Sequence, residues 1–411
     1  MYQIDYAAIG KLRGHPRASV APISRNVWYL GFTSLFTDIS SEMVASVLPA
    51  YLVLGLGFTP LAFGAVDGLY QGIGSVVRWA SGAAADRWRR HKSVAAAGYL
   101  LSAVCKLGLL ATSGWTSIAA VIAADRMGKG IRTAPRDAMI AMSSAPPALG
   151  AAFGLHRSLD AAGALLGPLV AFAVLAATPR RFDNVFVLSF SAAIVGLGVL
   201  IVFVDDRRAD LDRAPPVGPT GVLAALWTDR PFRYLIGGAA ALSLATIGDA
   251  FVYLQVQRST GFGAAGFPLM AFGAAGTYML CAAPAGRFAD RVGASRLFRW
   301  GHVVLFPLYA LLWVGLPGIP VALACVLLLG LYYGFTDGVL AAAASRMLAP
   351  EVRATGLAVL GTAVSVSRLL ASIAFGAAWT TWGPQTAIAG FAVALAMALP
   401  IARVCLATER A

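Results

Sequence analysis

Residues 205–230 read DDRRADLDRAPPVGPTGVLAALWTDR, and this polar stretch divides an otherwise apolar chain into two parts of similar length. Its charges, prolines and glycines are typical of a linker that holds at most one short surface helix. Across the whole chain 59% of the residues are hydrophobic and only 12% are charged, whereas a soluble domain has roughly 25% charged residues. This composition excludes an ordinary soluble enzyme, a secreted disulfide-rich domain and a disordered protein, and it predicts that the solvent of the chain is lipid.

Six apolar spans lie on each side of the linker, each near the roughly 20 residues that a helix needs to cross a bilayer. They cover 28–54, 60–83, 93–112, 117–140, 150–177 and 184–204, then 232–255, 264–285, 297–315, 319–343, 355–379 and 384–404. We therefore expect an all-α membrane protein with twelve transmembrane helices in two pseudo-symmetric six-helix bundles. The expected domains are a cytoplasmic lead-in at 1–25, bundles at 26–204 and 232–404, a cytoplasmic linker at 205–231 and a cytoplasmic tail at 405–411.

Basic residues are concentrated in alternate connections between the spans. The connections at 55–59, 113–116, 316–318 and 380–384 contain no Lys or Arg, and Arg180, Arg181 and Arg258 are the exceptions to the pattern. Because basic loops stay in the cytoplasm, this pattern explains the net charge of +13 without a nucleic-acid partner. We expect a monomeric, multi-pass protein of the bacterial inner (cytoplasmic) membrane with both termini in the cytoplasm.

One short motif occurs at the same place in both parts of the chain. Gly82-Ala-Ala-Ala-Asp86-Arg87 follows the second span, and Gly286-Arg-Phe-Ala-Asp290-Arg291 follows the eighth, with an offset of 290 − 86 = 204 residues. A unit that recurs at such an offset predicts two related six-helix halves, an arrangement common in secondary transporters.

With these motifs the sequence resembles the major facilitator superfamily over nearly its whole length. The residues that carry the resemblance are Gly82, Asp86, Arg87 and Arg90 with the second copy Gly286, Asp290 and Arg291, then Arg126 with Gly130, then Gly154, Gly163, Gly167 and Pro168. The resemblance implies that the first motif and its copy form a cytoplasmic gate, in which Asp86 pairs with an arginine of a neighbouring helix. It implies that the helix 5 motif is a packing motif of exchangers that export a solute against protons, although Ala171 and Phe172 replace glycines of the family pattern.

Charged residues inside the predicted spans are the strongest mechanistic signal, since each costs on the order of 2.5–3.5 kcal/mol on insertion scales. Asp38 and Glu42 lie four residues apart, hence on one face of the first helix. Arg126 in the fourth helix, with Arg157 and Asp160 in the fifth, lies at a similar depth by residue counting. We expect these five residues to couple transport to protons, with Asp38 or Glu42 gaining and losing the proton. The alternative is a set of permanent ion pairs that hold the bundle together.

Further polar residues in the spans are candidates for binding an organic solute with a polar group. They are Asp67, Gln71, Arg132, Arg136, His156, Asp249, Tyr253, Tyr332, Asp337 and Arg368. For any one tyrosine the alternative is packing or a membrane-interface position, and for His156 it is a proton relay or a packing role. The four cysteines lack metal-site spacing, so neither a metal nor a cofactor is expected. The sequence contains no nucleophile–base arrangement of the kind that an enzyme would need, so we do not expect an enzyme.

The sequence thus favours a proton-coupled antiporter that exports a small organic or amphipathic solute by alternating access. A proton symporter that imports a small anionic solute, with Arg126, Arg157 and Arg368 as anion ligands, remains an alternative. A membrane sensor that does not transport is a third hypothesis, from another class of protein.

Overall fold

The computed structural model describes residues 23–88, 90–145, 148–206, 229–348 and 350–406. The predicted lead-in up to residue 22, the linker from 207 to 228 and the tail from 407 lie outside the described residues. Within the described ranges the chain forms helices and short connections without β-strands. The α-helices are α1 (Arg25–Ala50), α2 (Pro60–Trp88), α3 (His91–Gly108), α4 (Trp115–Met142), α5 (Leu149–Ala177), α6 (Phe182–Phe203), α7 (Arg230–Leu244), α8 (Asp249–Thr260), α9 (Gly266–Val292), α10 (Ala294–Val303), α11 (Leu305–Val314), α12 (Ile319–Thr336), α13 (Val339–Met347), α14 (Pro350–Trp382) and α15 (Pro384–Cys405).

Each predicted span corresponds to one helix or to two consecutive helices. The pairs α7 with α8, α10 with α11 and α12 with α13 are interrupted rods, and a π-helical turn at Tyr51–Gly55 extends α1. In the described chain, eight of these rods are long and apolar enough to cross a membrane: α5, α6, α7 with α8, α9, α10 with α11, α12 with α13, α14 and α15. The expectation of an all-α membrane protein is confirmed. The helices α1–α4 hold seven of the fifteen residues predicted for proton coupling or solute binding, and their membrane crossing stays a prediction.

Local sequence explains where several helices begin and end. Asp229 caps α7, because its side chain accepts a hydrogen bond of 3.2 Å from the backbone N–H of Phe232. Gly261 and Gly315 end α8 and α11 with positive φ values of 72° and 64°, which glycine adopts without steric cost. Gly338, with a φ of 80°, separates α12 from α13. The chain is therefore broken close to Asp337, one of the predicted solute-binding residues.

Contacts between the connections sort the helix ends into two groups. At one end Lys92 Nζ donates to the carbonyl of Val204 (2.7 Å), and Asn26 Nδ2 donates to the carbonyl of Asp205 (3.2 Å). At the other end the Tyr51 hydroxyl donates to the carbonyl of Leu109 (3.2 Å). We call the end that contains Lys92 the basic end and the end that contains Tyr51 the opposite end.

Within the N-terminal half, α1 packs against both α5 and α6. A side-chain carbon on Gly163 of α5 would lie 2.6 Å from the carbonyl oxygen of Leu35, and one on Gly167 would lie 2.8 Å from Glu42 Cβ. Glycine at these two positions therefore lets the backbones of α1 and α5 approach closely. Gly154 departs from the packing predicted for the motif, because no atom lies within 4 Å of the place where its side chain would begin.

The two halves meet closely along α2 and α14, toward the opposite end. A side-chain carbon on Gly376 of α14 would lie 2.4 Å from the carbonyl oxygen of Pro60, and one on Gly64 of α2 would lie 2.5 Å from that of Ser372. Both contacts are with backbone atoms, so only glycine permits this approach.

An aromatic cluster from both halves lies at the same level. Phe251 of α8 packs edge-on against Phe63 of α2 and Phe375 of α14, with ring centroids 4.9 and 4.8 Å apart. Trp379 packs against Phe251 with tilted rings and against Phe375 edge-on. Edge-to-face packing of this kind adds stabilisation beyond the buried area, so the halves are held together firmly toward the opposite end.

Candidate functional site

Two adjoining cavities lie between the halves, with volumes of about 330 Å³ and about 880 Å³. Open space continues toward the basic end, because Gly154 of the larger cavity and Gly361 of the smaller one have no atom within 4 Å of their side-chain positions. Residues that line both cavities are Glu42, Tyr70, Gln71, Asp137, Arg157 and Arg368. The cavities lie in a cleft between the two halves, and the contact between α2 and α14 closes this cleft at the opposite end. Such a cleft suits the binding of a small molecule.

All five residues predicted to couple protons line the smaller cavity: Asp38, Glu42, Arg126, Arg157 and Asp160. Asp38 and Asp160 are each 3% exposed, and their carboxyl groups lie close enough to interact directly. Arg157 Nη1 lies 3.6 Å from Asp160 Oδ2, and Arg132 Nη2 lies 3.7 Å from Asp38 Oδ1. The structure therefore brings two acids from α1 and α5 together with arginines from α4 and α5.

The glycines of α5 explain how the two acids meet. A side-chain carbon on Gly163 would lie 3.1 Å from Asp38 Cβ, so α5 contacts α1 at the level of this acid. Asp160, three residues earlier, lies one turn away on the same face of α5. The close approach of the helices therefore sets the distance between the two carboxyl groups.

Arg126 has different partners from those that residue counting suggests. Its guanidinium donates to the Asp125 carboxylate, with Nε at 2.9 Å, and its charged carbon lies 3.9 Å from the centre of the Tyr70 ring. Lys106 Nζ of α3 lies 2.5 Å from the other oxygen of Asp125. Arg126 thus belongs to a buried cluster of one acid and two bases, and it pairs with neither Asp38 nor Asp160.

The predicted solute-binding residues divide between the two cavities, with one exception. The smaller cavity is lined by Gln71, Arg132, Arg136, Tyr332, Asp337 and Arg368, and the larger by Asp67, Gln71, Asp249, Tyr253 and Arg368. His156 is the exception, because it lines neither cavity. It is wholly buried, and its Nε2 lies 2.8 Å from the Ser34 hydroxyl. The structure therefore places His156 in the packing between α1 and α5, away from both cavities, and its contact with solute stays a prediction.

The predicted gate residues lie near the basic end. In the second copy of the motif, Arg346 of α13 donates to Asp290 at 2.6 Å, and both side chains are exposed. Gly286 and Arg291 lie in the same last turns of α9, and Arg90 is exposed between α2 and α3. In the first copy, Gly82 lies in the last turns of α2, and the side chains of Asp86 and Arg87 lie outside the described part of the chain. An acid that reaches an arginine of another helix is thus present in the second copy.

Sequence reasoning missed several residues of the smaller cavity, among them Tyr70 of α2, Lys129 of α4 and His302 of α10. The His302 ring is 1% exposed and lines the cavity, and its Nδ1 lies 2.9 Å from the carbonyl of Phe298. The sequence signal that could have identified His302 was a histidine within the predicted apolar span 297–315. Among the described residues, no group of three or more His, Cys, Asp or Glu side chains is arranged to hold a metal ion.

Comparison with known proteins identifies the family to which this architecture belongs. The family model described as Major Facilitator Superfamily matches residues 30–372. An uncharacterized MFS-type transporter of Methanocaldococcus jannaschii is 29% identical over 389 residues, which cover 91% of this chain and 93% of that protein. An uncharacterized protein of Mycobacterium tuberculosis is 34% identical over 160 residues, 38% of each chain.

Solved structures show the same fold. A nucleoside transporter aligns with a TM-score of 0.74 and 15% identity, covering 94% of this chain and 100% of that one. A bacterial homologue of the human lysosomal transporter Spinster, in an inward-facing and unoccupied conformation, aligns with a TM-score of 0.72 and 15% identity, covering 93% and 96%. Since the family model spans most of the sequence, the chain is a multi-pass membrane transporter that belongs to the Major Facilitator Superfamily.

Proposed function

We propose that this transporter is a proton-coupled antiporter that exports a small organic or amphipathic solute by alternating access. One observation carries the proposal: Asp38 and Asp160 lie together, nearly inaccessible to water, on the wall of a cavity between the halves. The acids belong to different helices, and both are within 4 Å of arginines. A movement of the helices would therefore change their electrostatic surroundings.

The physical argument for protons starts from repulsion between the two acids. Two carboxylates side by side repel each other strongly where water is excluded, and one shared proton removes that repulsion. The guanidinium groups of Arg132 and Arg136 compete with the proton for the same carboxylates, at 3.7 and 3.8 Å. A rocking motion that alters these distances would bind the proton on one side and release it on the other.

Sidedness and direction rest on the sequence. The positive-inside rule supports a cytoplasmic basic end, with both termini in the cytoplasm of a bacterial inner-membrane protein. The helix 5 motif supports export, and two of its glycines, Gly163 and Gly167, pack tightly beside Asp38 and Glu42. Because a proton gradient drives protons inward, an antiporter of this orientation would move solute out.

A symporter that imports a small anionic solute is the second candidate. The observation that favours it is the number of basic side chains on the smaller cavity, namely Arg126, Lys129, Arg132, Arg136, Arg157 and Arg368. Five acids line the same cavity, Asp38, Glu42, Asp137, Asp160 and Asp337. This near balance makes the surplus of positive charge small, so export by antiport remains our proposal.

The experiment uses the full chain in proteoliposomes that contain a pH-sensitive dye. Radiolabelled solutes are screened for uptake, and each transported solute is then added without an imposed gradient. Antiport moves protons against the solute and symport moves them with it, so the sign of the pH change separates the two. Saturable binding of a solute without flux would indicate the sensor and contradict the proposal.

A matched pair of variants tests the coupling residue. Asp38→Asn is expected to abolish proton-driven accumulation while it spares counterflow of solute between the two sides. Asp183→Asn, which removes an exposed acid in the first turn of α6, serves as the control and is expected to behave like the native chain. Unchanged uphill transport by Asp38→Asn would show that this acid is not the coupling residue.

A further inference from the structure

His302 is held in one orientation by its surroundings. Its ring packs edge-on against Phe298 and Tyr332, with centroids 4.7 and 5.3 Å away. A carbonyl oxygen only accepts hydrogen bonds, so the 2.9 Å contact with the Phe298 carbonyl requires the proton on Nδ1. In this tautomer the lone pair of Nε2 is available as an acceptor.

That acceptor has no partner within the described chain. Nε2 of His302 is buried without a hydrogen bond, although its ring lines the smaller cavity. Buried acceptors are almost always satisfied, because an unmade hydrogen bond costs the full desolvation of the group. A group that is orphaned beside a cavity is therefore a candidate to be completed by a molecule that enters the cavity.

Arg368 of α14 lies on the same wall and is also incompletely paired. Its Nη2 lies 3.8 Å from Asp337 Oδ1, beyond hydrogen-bond distance, and its Nε is buried without a partner. Its charged carbon lies 5.8 Å from the centre of the Tyr333 ring. A guanidinium presents planar donors that match an acidic oxygen, and within the described chain the Nε donor of Arg368 has no partner.

The two groups line the same cavity, and a chain of contacts through Tyr332 and Tyr333 links them. The rings of these tyrosines are 4.9 Å apart, one against His302 and the other below Arg368. We propose that this wall of the C-terminal half is a solute subsite for an organic acid that carries a hydroxyl or N–H group beside its acidic oxygen. Arg368 binds the acidic oxygen, and His302 Nε2 accepts the hydrogen bond from the neighbouring hydroxyl or N–H.

This subsite rests on the proposed function only in taking the smaller cavity as part of the solute path. It goes further because it assigns a role to His302 and names the chemistry of the solute. A site built to accept a hydrogen bond discriminates strongly against a solute that lacks the donor, since binding then leaves the acceptor unpaired.

The test uses two probes that differ by one hydroxyl, mandelate and phenylacetate. Their binding to the full chain in lipid nanodiscs is measured by equilibrium dialysis with labelled probe and without a proton gradient. We expect mandelate to bind about tenfold more tightly than phenylacetate. His302→Phe removes the acceptor and is expected to erase this preference while phenylacetate affinity stays the same, which also shows that the variant is folded.

Three further variants separate a binding role from a structural one. His302→Gln restores an acceptor and is expected to recover most of the preference for mandelate. Arg368→Gln is expected to weaken both probes. His91→Phe makes the same substitution at the start of α3, outside both cavities, and is expected to leave the preference unchanged.

Equal affinity for the two probes, no saturable binding of either, or a preference that survives His302→Phe would each overturn the subsite. If mandelate shows no preference while Asp38→Asn still loses proton-driven flux, the subsite is wrong and proton coupling stands. If the preference is present while Asp38→Asn transports uphill like the native chain, the subsite stands and the coupling assignment is wrong.

Discussion

The Ser372 hydroxyl, on α14 of the C-terminal half, donates a hydrogen bond of 2.7 Å to the Asp67 carboxylate on α2 of the N-terminal half. Both side chains are buried, and the same hydroxyl lies 3.0 Å from the carbonyl oxygen of Gly64. This polar contact crosses the interface beside the glycines that bring α2 and α14 together. The hydrogen bonding of Asp67, which lines the larger cavity, therefore depends on whether the opposite end is closed.

Removal of this hydroxyl is expected to loosen the closed contact. Ser372→Ala leaves Asp67 without its donor, at a cost of about 1 kcal/mol, which corresponds to about a fivefold shift from the closed to the separated state. Spin labels on the exposed positions Leu61→Cys and Thr381→Cys, in a chain with its native cysteines replaced, report the distance between the helix ends. Ser191→Ala, which removes an exposed hydroxyl on α6, is the control, and the idea fails if both variants give the native distance distribution.

Glycine at 376 is expected to be required for closure. A side-chain carbon there would lie 2.4 Å from the backbone carbonyl of Pro60, and a helix backbone yields less readily than a side chain. Gly376→Ala should therefore force the halves apart at this end and reduce flux in proteoliposomes by at least about fivefold, since overpacking of about 1–3 kcal/mol acts directly on the closed state. Gly390→Ala on α15, where the space is open, should transport normally. Normal flux by both variants would contradict the prediction.

The contact between α5 and α1 is expected to contribute to stability. A side-chain carbon on Gly167 would lie 2.8 Å from the Ile39 carbonyl oxygen and from Glu42 Cβ, so Gly167→Ala should destabilise the chain by about 1–3 kcal/mol. The measurement is the apparent melting temperature in detergent, which should fall. Gly198→Ala on α6, with no atom within 4 Å of the new carbon, should melt at the native temperature or above it. Equal melting temperatures for the two variants would show that the interface adapts freely.

The buried cluster around Asp125 is expected to respond unequally to loss of its members. Asp125→Asn leaves Lys106 and Arg126 buried without their common anion, and loss of one partner of a buried pair costs about 3–5 kcal/mol. Lys106→Met keeps the volume of the side chain and leaves the Asp125–Arg126 pair intact, so its cost should be smaller. Thermal unfolding of the two variants in detergent gives the comparison. A greater loss for Lys106→Met would mean that the lysine holds the cluster together.

Much of the architecture follows from properties that are local in sequence. The lengths of the apolar stretches predicted twelve spans, and each coincides with a helix or an interrupted rod, because the length of a hydrophobic segment is fixed by bilayer thickness. The repeated motif at Asp86 and Asp290 predicted two related halves, because a unit that recurs along the chain can be recognised in consecutive residues. The interruptions at Val304 and Gly338 were not predicted, since short apolar runs hide such breaks.

The pairing of the buried charged residues, unlike the number of spans, could not be predicted from the sequence. Residue counting grouped Arg126 with Asp38, yet the structure pairs it with Asp125, which also binds Lys106. Counting gives depth along a helix but not the rotation of that helix about its axis, and rotation decides which neighbour a side chain faces. For the same reason His156 was expected at the solute path and lies in the packing between helices, whereas His302 lines the cavity.

By itself, the sequence determined that this chain is an all-helical membrane protein of two halves, because hydrophobic length and recurring motifs are written in consecutive residues. Only the tertiary structure decided that Asp38 meets Asp160, that Asp67 meets Ser372 and that the halves close toward one end. Those contacts depend on the rotation and close approach of helices distant in sequence, which small residues permit but do not specify.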